Sequence, residues 1–236
     1  MSEPMQHHIH NPFYSSDVKE PVDANWAARR RVADLMRGVI EDLVTTTCET
    51  ENLDAIAGEL ERIGTLLRQS PRVSGRTAYL EEEYGGKNSL ASVGYELNPL
   101  DGRANPIAAP MKIWIDEKEA VAYADAYMGW QYEGPPHCLH GGMVAALFDQ
   151  FLGVAQKLTH QPGVTGWIKV RYHKPTPLHT RLKLVGRVKS VEGRKNVLEG
   201  EMWAGDQLTA SCEGLFIHLD IEAYKKMQEA RRQAQT

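Results

Sequence analysis

Apolar residues recur along this chain with two different periods, and the change between them divides it. Between residues 23 and 46, Val32, Leu35, Met36, Val39, Ile40, Leu43 and Val44 fall at helical spacing, with Arg29, Arg30, Arg31, Asp34 and Arg37 among them. That spacing predicts an amphipathic helix, and Asp23 is placed to cap its first turn. A second helix is predicted over residues 52–69, where Leu53, Ile56, Leu60, Ile63 and Leu67 form the stripe. Pro71 discourages its continuation. Residues 23–70 therefore read as a helical hairpin whose stripes require a partner surface. Residues 71–110 are richer in Gly, Pro, Asn and Ser and read as a connector with little regular structure. The Gly85-Gly86 pair within it reads as a plain turn, because nothing there resembles a P-loop.

From residue 111 the pattern turns strand-like. Strands are predicted over 111–116 and 120–128, the second alternating in Val121, Tyr123, Asp125 and Tyr127. Residues 129–140 form a loop, since Gly134-Pro135-Pro136 does not fit a helix interior. A helix over 141–157 follows, with Met143, Val144, Leu147, Phe148, Phe151 and Leu152 leaving almost no polar face. Most of its circumference is expected to be buried. Further strands are predicted over 164–172, 182–191, 197–203 and 207–219. One apolar helix amid consecutive strands implies an α+β domain over 111–220 whose antiparallel sheet wraps the helix. Residues 1–22 read as a flexible N-terminus and 221–236 as a charged helical tail.

Composition narrows the class. A net charge of −4 with 25% charged residues argues against a nucleic-acid binder, which would show a clustered basic surface. Cys48, Cys138 and Cys212 are odd in number, far apart and without a CxxC pair, which fits a reducing cytoplasm and no structural zinc. No apolar run approaches the ~20 residues a membrane span needs. The start MSEPMQHHIHNPFYSS lacks the pattern of a secretory signal. His7, His8 and His10 read as part of a polar terminus rather than a metal site.

Asp149 stands out chemically. It lies between Leu147, Phe148, Phe151 and Leu152, where a carboxylate carries a desolvation cost unless it is hydrogen-bonded or employed. Rotation to a solvated edge is the alternative. Just before the helix stands His140-Gly141-Gly142. Glycines at a helix start admit another group to the backbone, and the unsatisfied N–H groups there favour negative charge. That suits an oxyanion of acyl transfer, although a Gly pair also marks an ordinary turn. His137-Cys138 reads as an unactivated neighbour pair without a third partner. Met128 and Trp130 sit at a strand end, where core packing and a place along a substrate path are both open.

The segment Tyr132-Glu133-Gly134-Pro135-Pro136-His137-Cys138-Leu139-His140-Gly141-Gly142, then Leu147-Phe148-Asp149 and Gly153, resembles the hotdog-fold acyl-CoA thioesterases. The similarity is to the PaaI-type and the mitochondrial long-chain acyl-CoA types. Val164-Thr165 and Tyr172-His173-Lys174-Pro175-Thr176-Pro177-Leu178 resemble that family's next strand. The resemblance covers about residues 111–219. It implies a hotdog fold, an antiparallel sheet around a central helix, here with an N-terminal helical extension. It implies hydrolysis of acyl-CoA by a homodimer or higher homo-oligomer, with no metal or organic cofactor. The Gly141 N–H would polarise the thioester carbonyl. Asp149, supplied across a dimer interface, would act as general base or nucleophile. Thr165 would position it, and His140 would bond the carbonyl or hold the turn. Gly142 would line the site. Arg171, Lys174, Arg194 and Lys195 are candidates for the coenzyme A phosphates, with a solvated strand face as the alternative. Many PaaI-type members carry Asn six positions before the His; Gly134 stands there, as in the branch that reads Gly-Pro-Pro. A non-hydrolytic acyl-CoA-binding protein of the same fold and an acyl-thioester hydratase are the rival functions.

Overall fold

The computed structural model describes residues 21, 23–73, 75, 78–79, 90–109, 111–161 and 163–219. The chain divides into two compact units, residues 1–108 and 109–236. The N-terminal histidines, Gly85-Gly86 and the C-terminal tail lie outside the described residues.

In the first unit, α1 spans Ala24–Thr45, and the Asp23 side chain accepts from Trp26 N at 2.9 Å as the expected cap. Helix α2 spans Thr50–Arg68. Both helices form, but they do not pack along one another. The face that α1 buries is its charged one: Trp26, Ala33, Arg37 and Glu41 are buried. Arg30 grips Glu96 through Nε at 3.0 Å and Nη2 at 2.6 Å. The Arg37 guanidinium donates to the carbonyls of Asn105 at 2.7 Å and Arg103 at 3.1 Å. These partners lie in the stretch 71–110, read from the sequence as a connector with little regular structure. That stretch contains α3, Leu90–Leu97, which buries Val93 and Glu96. The helix has eight residues, with Gly94 inside it, which is too short a window for a 3.6-residue period to emerge. What orders the stretch is ion pairing at a sequence separation of 66, which no local pattern reports.

The second unit carries one six-stranded antiparallel sheet: β1 (Met111–Asp116), β2 (Val121–Tyr127), β3 (Gly163–Tyr172), β4 (Arg181–Glu192), β5 (Lys195–Ala204) and β6 (Gln207–His218), in the order β1-β2-β4-β5-β6-β3. Helix α4, Gly141–Ala155, touches all six strands, so the sheet wraps it in the hotdog arrangement. Alternation along β4 sends Leu182, Leu184 and Gly186 inward, as period two requires. Gly186 faces Gly200 across β4 and β5. A Cβ at Gly186 would come within 2.8 Å of Phe151, and one at Gly200 within 3.2 Å of Leu152. The cross-strand glycine pair thus lets α4 settle onto the middle of the sheet. Its buried residues, Val144, Leu147, Phe148, Phe151, Leu152 and Ala155, follow i, i+3, i+4 spacing, and the five larger ones contribute roughly 1.5–3 kcal/mol each.

The expectation that most of α4 would be buried is corrected here. Ala145, Ala146, Asp149, Gln150 and Gly153 form a second face that is only partly covered. Apolar composition showed that α4 has few polar groups, but it did not show how much of the helix the sheet reaches.

Candidate active site

The site is built around the start of α4. His140 is its N-cap, with backbone φ −59° and ψ 133°, and its Nδ1 accepts from Gly142 N at 3.0 Å. The His140 carbonyl accepts from Met143 N at 2.9 Å and Val144 N at 3.2 Å. These bonds satisfy three of the helix's leading N–H groups. The Gly141 N–H, first in the helix, has no acceptor inside it. The His140 ring thus holds the turn through Nδ1.

The preceding loop is a tight hairpin. Gly134 N donates to Cys138 O at 2.9 Å and His140 N to Tyr132 O at 2.9 Å. Its tip bends at His137, a non-glycine residue with φ 61°, whose N–H donates to Glu133 Oε1 at 2.6 Å. A Cβ on Gly134 would stand 2.7 Å from His140 Cα. The position therefore takes a glycine because two backbones meet there, and any larger residue would push the capping histidine. Leu139 N donates to Thr176 O at 2.8 Å, and Cys138 bridges Pro177. The end of the Gly-Pro-Pro loop, residues 137–139, is thus hydrogen-bonded to the Thr176–Leu178 stretch, far away in sequence. The His137 ring meets Trp130 edge-on at 5.5 Å. Met128 is fully buried in the core, and Trp130 packs on that core.

Asp149 lies two turns along α4, half-buried, and Thr165 Oγ1 donates to its Oδ1 at 2.9 Å. A β-bulge produces this contact. The β3–β6 register shifts between Thr165 and Trp167, so Thr165 pairs with the buried Phe216 and Trp167 with Leu215. In a regular strand Thr165 and Trp167, two residues apart, would point to one face. The bulge turns Thr165 toward the helix and Trp167 away. At the other end of the strand, Tyr172 Oη donates to the Gly141 carbonyl at 2.8 Å, a contact the sequence reading missed. Its only advance signal was that Tyr172 shares the strand face of Ile168 and Val170.

The four basic candidates are not brought together within one chain. Arg171 and Lys174 lie at the end of β3, where Arg171 pairs with Ser211. Lys195 pairs with Ile217 at the opposite end of the sheet, and Arg194 Nε donates to His218 O at 3.1 Å. Along the sheet the six residues from Ser211 to Ile217 separate Arg171 from Lys195, about 20 Å at ~3.3 Å per residue. Sequence proximity within each pair could not report that separation. Cys212, in the core on β6 beside Val170 of β3, has its thiol pushed up to about 11, chiefly by burial. Among the described residues, no group of three or more His, Cys, Asp or Glu is placed to hold a metal ion. Among the same residues, no helix is long and apolar enough to cross a membrane.

A family model described as the thioesterase superfamily matches residues 137–211, a span that holds every candidate site residue. A crystal structure of a thioesterase superfamily protein is 33% identical, covers 85% of this chain and 94% of its own, and has a TM-score of 0.70. The chain belongs to the thioesterase superfamily. It is also similar to the acyl-coenzyme A thioesterase THEM4 of Bos taurus, 33% identical over 110 residues, 45% of this chain and 44% of that protein. The Mus musculus THEM4 is 29% identical over 96 residues, 40% of this chain and 41% of the relative. This superfamily member therefore spans less than half the length of those curated relatives.

Proposed function

We propose that this chain hydrolyses acyl-coenzyme A thioesters, with water activated by Asp149 and the thioester carbonyl held at the Gly141 N–H. The observation that carries the reading is the Thr165–Asp149 hydrogen bond of 2.9 Å, on a helix whose first N–H meets no backbone acceptor among the described residues. Thr165 fixes the carboxylate rotamer through one oxygen and leaves the other lone pairs for a water proton. The water oxygen attacks the carbonyl carbon as Asp149 takes its proton. The negative charge that forms on the carbonyl oxygen meets the Gly141 N–H and the positive end of α4. The carbon–sulfur bond then breaks, and the departing thiolate takes the proton.

Within one chain these two groups are too far apart to act on one carbonyl. Eight residues of helix separate them, about 12 Å at ~1.5 Å per residue. A second copy completes the arrangement. Strand β3 is a sheet edge, with Val164, Trp167 and Tyr172 exposed. An antiparallel β3–β3 pairing centred between Ile168 and Lys169 sets Thr165 of one copy beside Tyr172 of the other. Asp149, bound to Thr165, then faces the second copy's Gly141, bound to Tyr172. The same two-fold brings the Lys174 end of one β3 toward the end of the sheet that carries Arg194 and Lys195 on its partner. The coenzyme A phosphates would then be met from both chains. Three free cysteines, Cys48, Cys138 and Cys212, fit a reducing compartment.

The test is hydrolysis of a panel of acyl-CoAs by the wild-type chain and by Asp149→Asn, which keeps the side chain's shape and its bond to Thr165. The reading expects turnover of at least one acyl-CoA and its near-loss in the variant. Full activity in Asp149→Asn sinks the mechanism. Tight acyl-CoA binding with no turnover by either protein favours a non-hydrolytic acyl-CoA-binding role instead.

A further inference from the structure

Helices α1 and α2 show an unusual distribution of polarity. Helix α1 turns Arg37 and Glu41 inward and exposes Leu35 at 72% and Leu43 at 54%. Helix α2 buries no residue at all. Six large apolar side chains on α1 and five on α2 are exposed. They amount to apolar surface on the order of 1,000 Å² per chain, where a standard interface takes ~800 Å² from each partner. A patch of that size marks an interaction site.

We infer that these two helices form an arm exchanged with a second copy of this chain, with α1 of each copy lying antiparallel on α2 of the other. Three observations select that occupant. First, the stripes are symmetric about the middle of the Thr46–Glu49 link: Met36 answers Leu60, Val39 answers Ile56, and Val32 answers Ile63, each to within one residue. A two-fold axis through the link needs that symmetry, because an isologous interface matches each position with its counterpart. Second, the link is extended at both ends, with Thr46 at φ −76°, ψ 149° and Glu49 at φ −65°, ψ 153°. The helices of one chain do not close on each other. Third, the charges complement. Helix α1 has four arginines against three carboxylates, net +1, and α2 has four carboxylates against two arginines, net −2. Pairing α1 with α2 sets unlike charges together, whereas α2 on α2 would set like charges together. The acidic balance of α2 also disfavours an anionic lipid surface, which selects Lys and Arg on the polar face.

The arm is independent of the catalytic reading and is tested without turnover. In a Cys48→Ser background, full-length Val39→Cys and Ile56→Cys chains are co-expressed and oxidised. Both positions are 42% exposed, so the substitutions leave the fold of each chain intact. The expected product is a two-chain species whose linked peptides join residue 39 of one chain to residue 56 of the other. Adding Leu60→Glu to the second chain is expected to abolish it. No interchain 39–56 link, or closure within one chain when both cysteines share it, overturns the proposal. So does co-sedimentation of the chain with phosphatidylcholine–phosphatidylglycerol vesicles that Leu60→Glu abolishes while the interchain link is absent.

Discussion

Helices α4 and α1 are both amphipathic, yet they use their faces in opposite ways. Helix α4 buries Leu147, Phe148, Phe151 and Leu152 and leaves Asp149 at a half-covered edge. Helix α1 buries Arg37 and Glu41 and leaves its leucines in water. A periodic stripe shows which side chains share a face; it does not show which face meets the rest of the chain. In the second unit the sheet supplies an apolar surface, and the apolar face is buried. In the first, the partners are Glu96 and the carbonyls of Arg103 and Asn105, and the charged face is buried.

That contrast can be broken by substitution. The largest stability effect belongs to α4. Phe148→Ala removes a fully buried ring and is expected to cost about 3–5 kcal/mol in urea unfolding. The corresponding change on α1, Leu35→Ala at a side chain 72% exposed in the single chain, is expected to move the unfolding of the isolated chain's first unit by less than ~0.5 kcal/mol. A comparable loss at both sites would erase the distinction between the two helices. Next comes the buried ion pair. Glu96→Leu removes the carboxylate that the Arg30 guanidinium grips, at a side chain only 11% exposed. It should destabilise the first unit by about 3–5 kcal/mol, read as loss of helical signal at a lower urea concentration. An unchanged midpoint would mean that the charged face of α1 is incidental to its docking.

On the catalytic side, Asp149→Asn is expected to lower kcat by roughly 10²–10⁴-fold. Thr165→Ala leaves the carboxylate but frees its rotamer, so the loss should be smaller, about tenfold, with KM little changed. Equal losses in the two would mean that Thr165 does more than position. The smallest effect is chemical. With the Cys212 thiol pushed up to about 11 by burial, almost none of it is thiolate at pH 8. Iodoacetamide at that pH should label Cys48 and Cys138 first, read by peptide mass. Labelling of Cys212 at the same rate would show that the core around β6 is open to solvent.

Much of the second unit was legible because its determinants are local. The strand periods, the apolar stretch of α4 and the loop glycines all lie within short windows. The Asp149–Thr165 pair was legible only through family resemblance, since a contact across sixteen positions depends on a bulge at Gly166 that periodicity does not announce. Tyr172 was missed for a similar reason: its hydroxyl reaches Gly141 from a strand whose face is set by that bulge. The separation of Arg171 and Lys174 from Arg194 and Lys195 follows from sheet order, which sequence spacing does not encode. In the first unit, α3 and its buried Glu96 were hidden because a pair formed across 66 positions orders them.

Subunit complementation tests the two-chain site most directly. Gly141→Pro removes the N–H at a helix position where proline is well accepted, and His140 already has the φ −59°, ψ 133° that a following proline requires. Gly141→Pro and Asp149→Asn chains, each nearly inactive alone, are unfolded, mixed equally and refolded. Random pairing makes half of the dimers mixed, and each mixed dimer holds one complete site, so acyl-CoA hydrolysis should return to about a quarter of wild type. A mixture as inactive as its components would contradict a site shared between two chains.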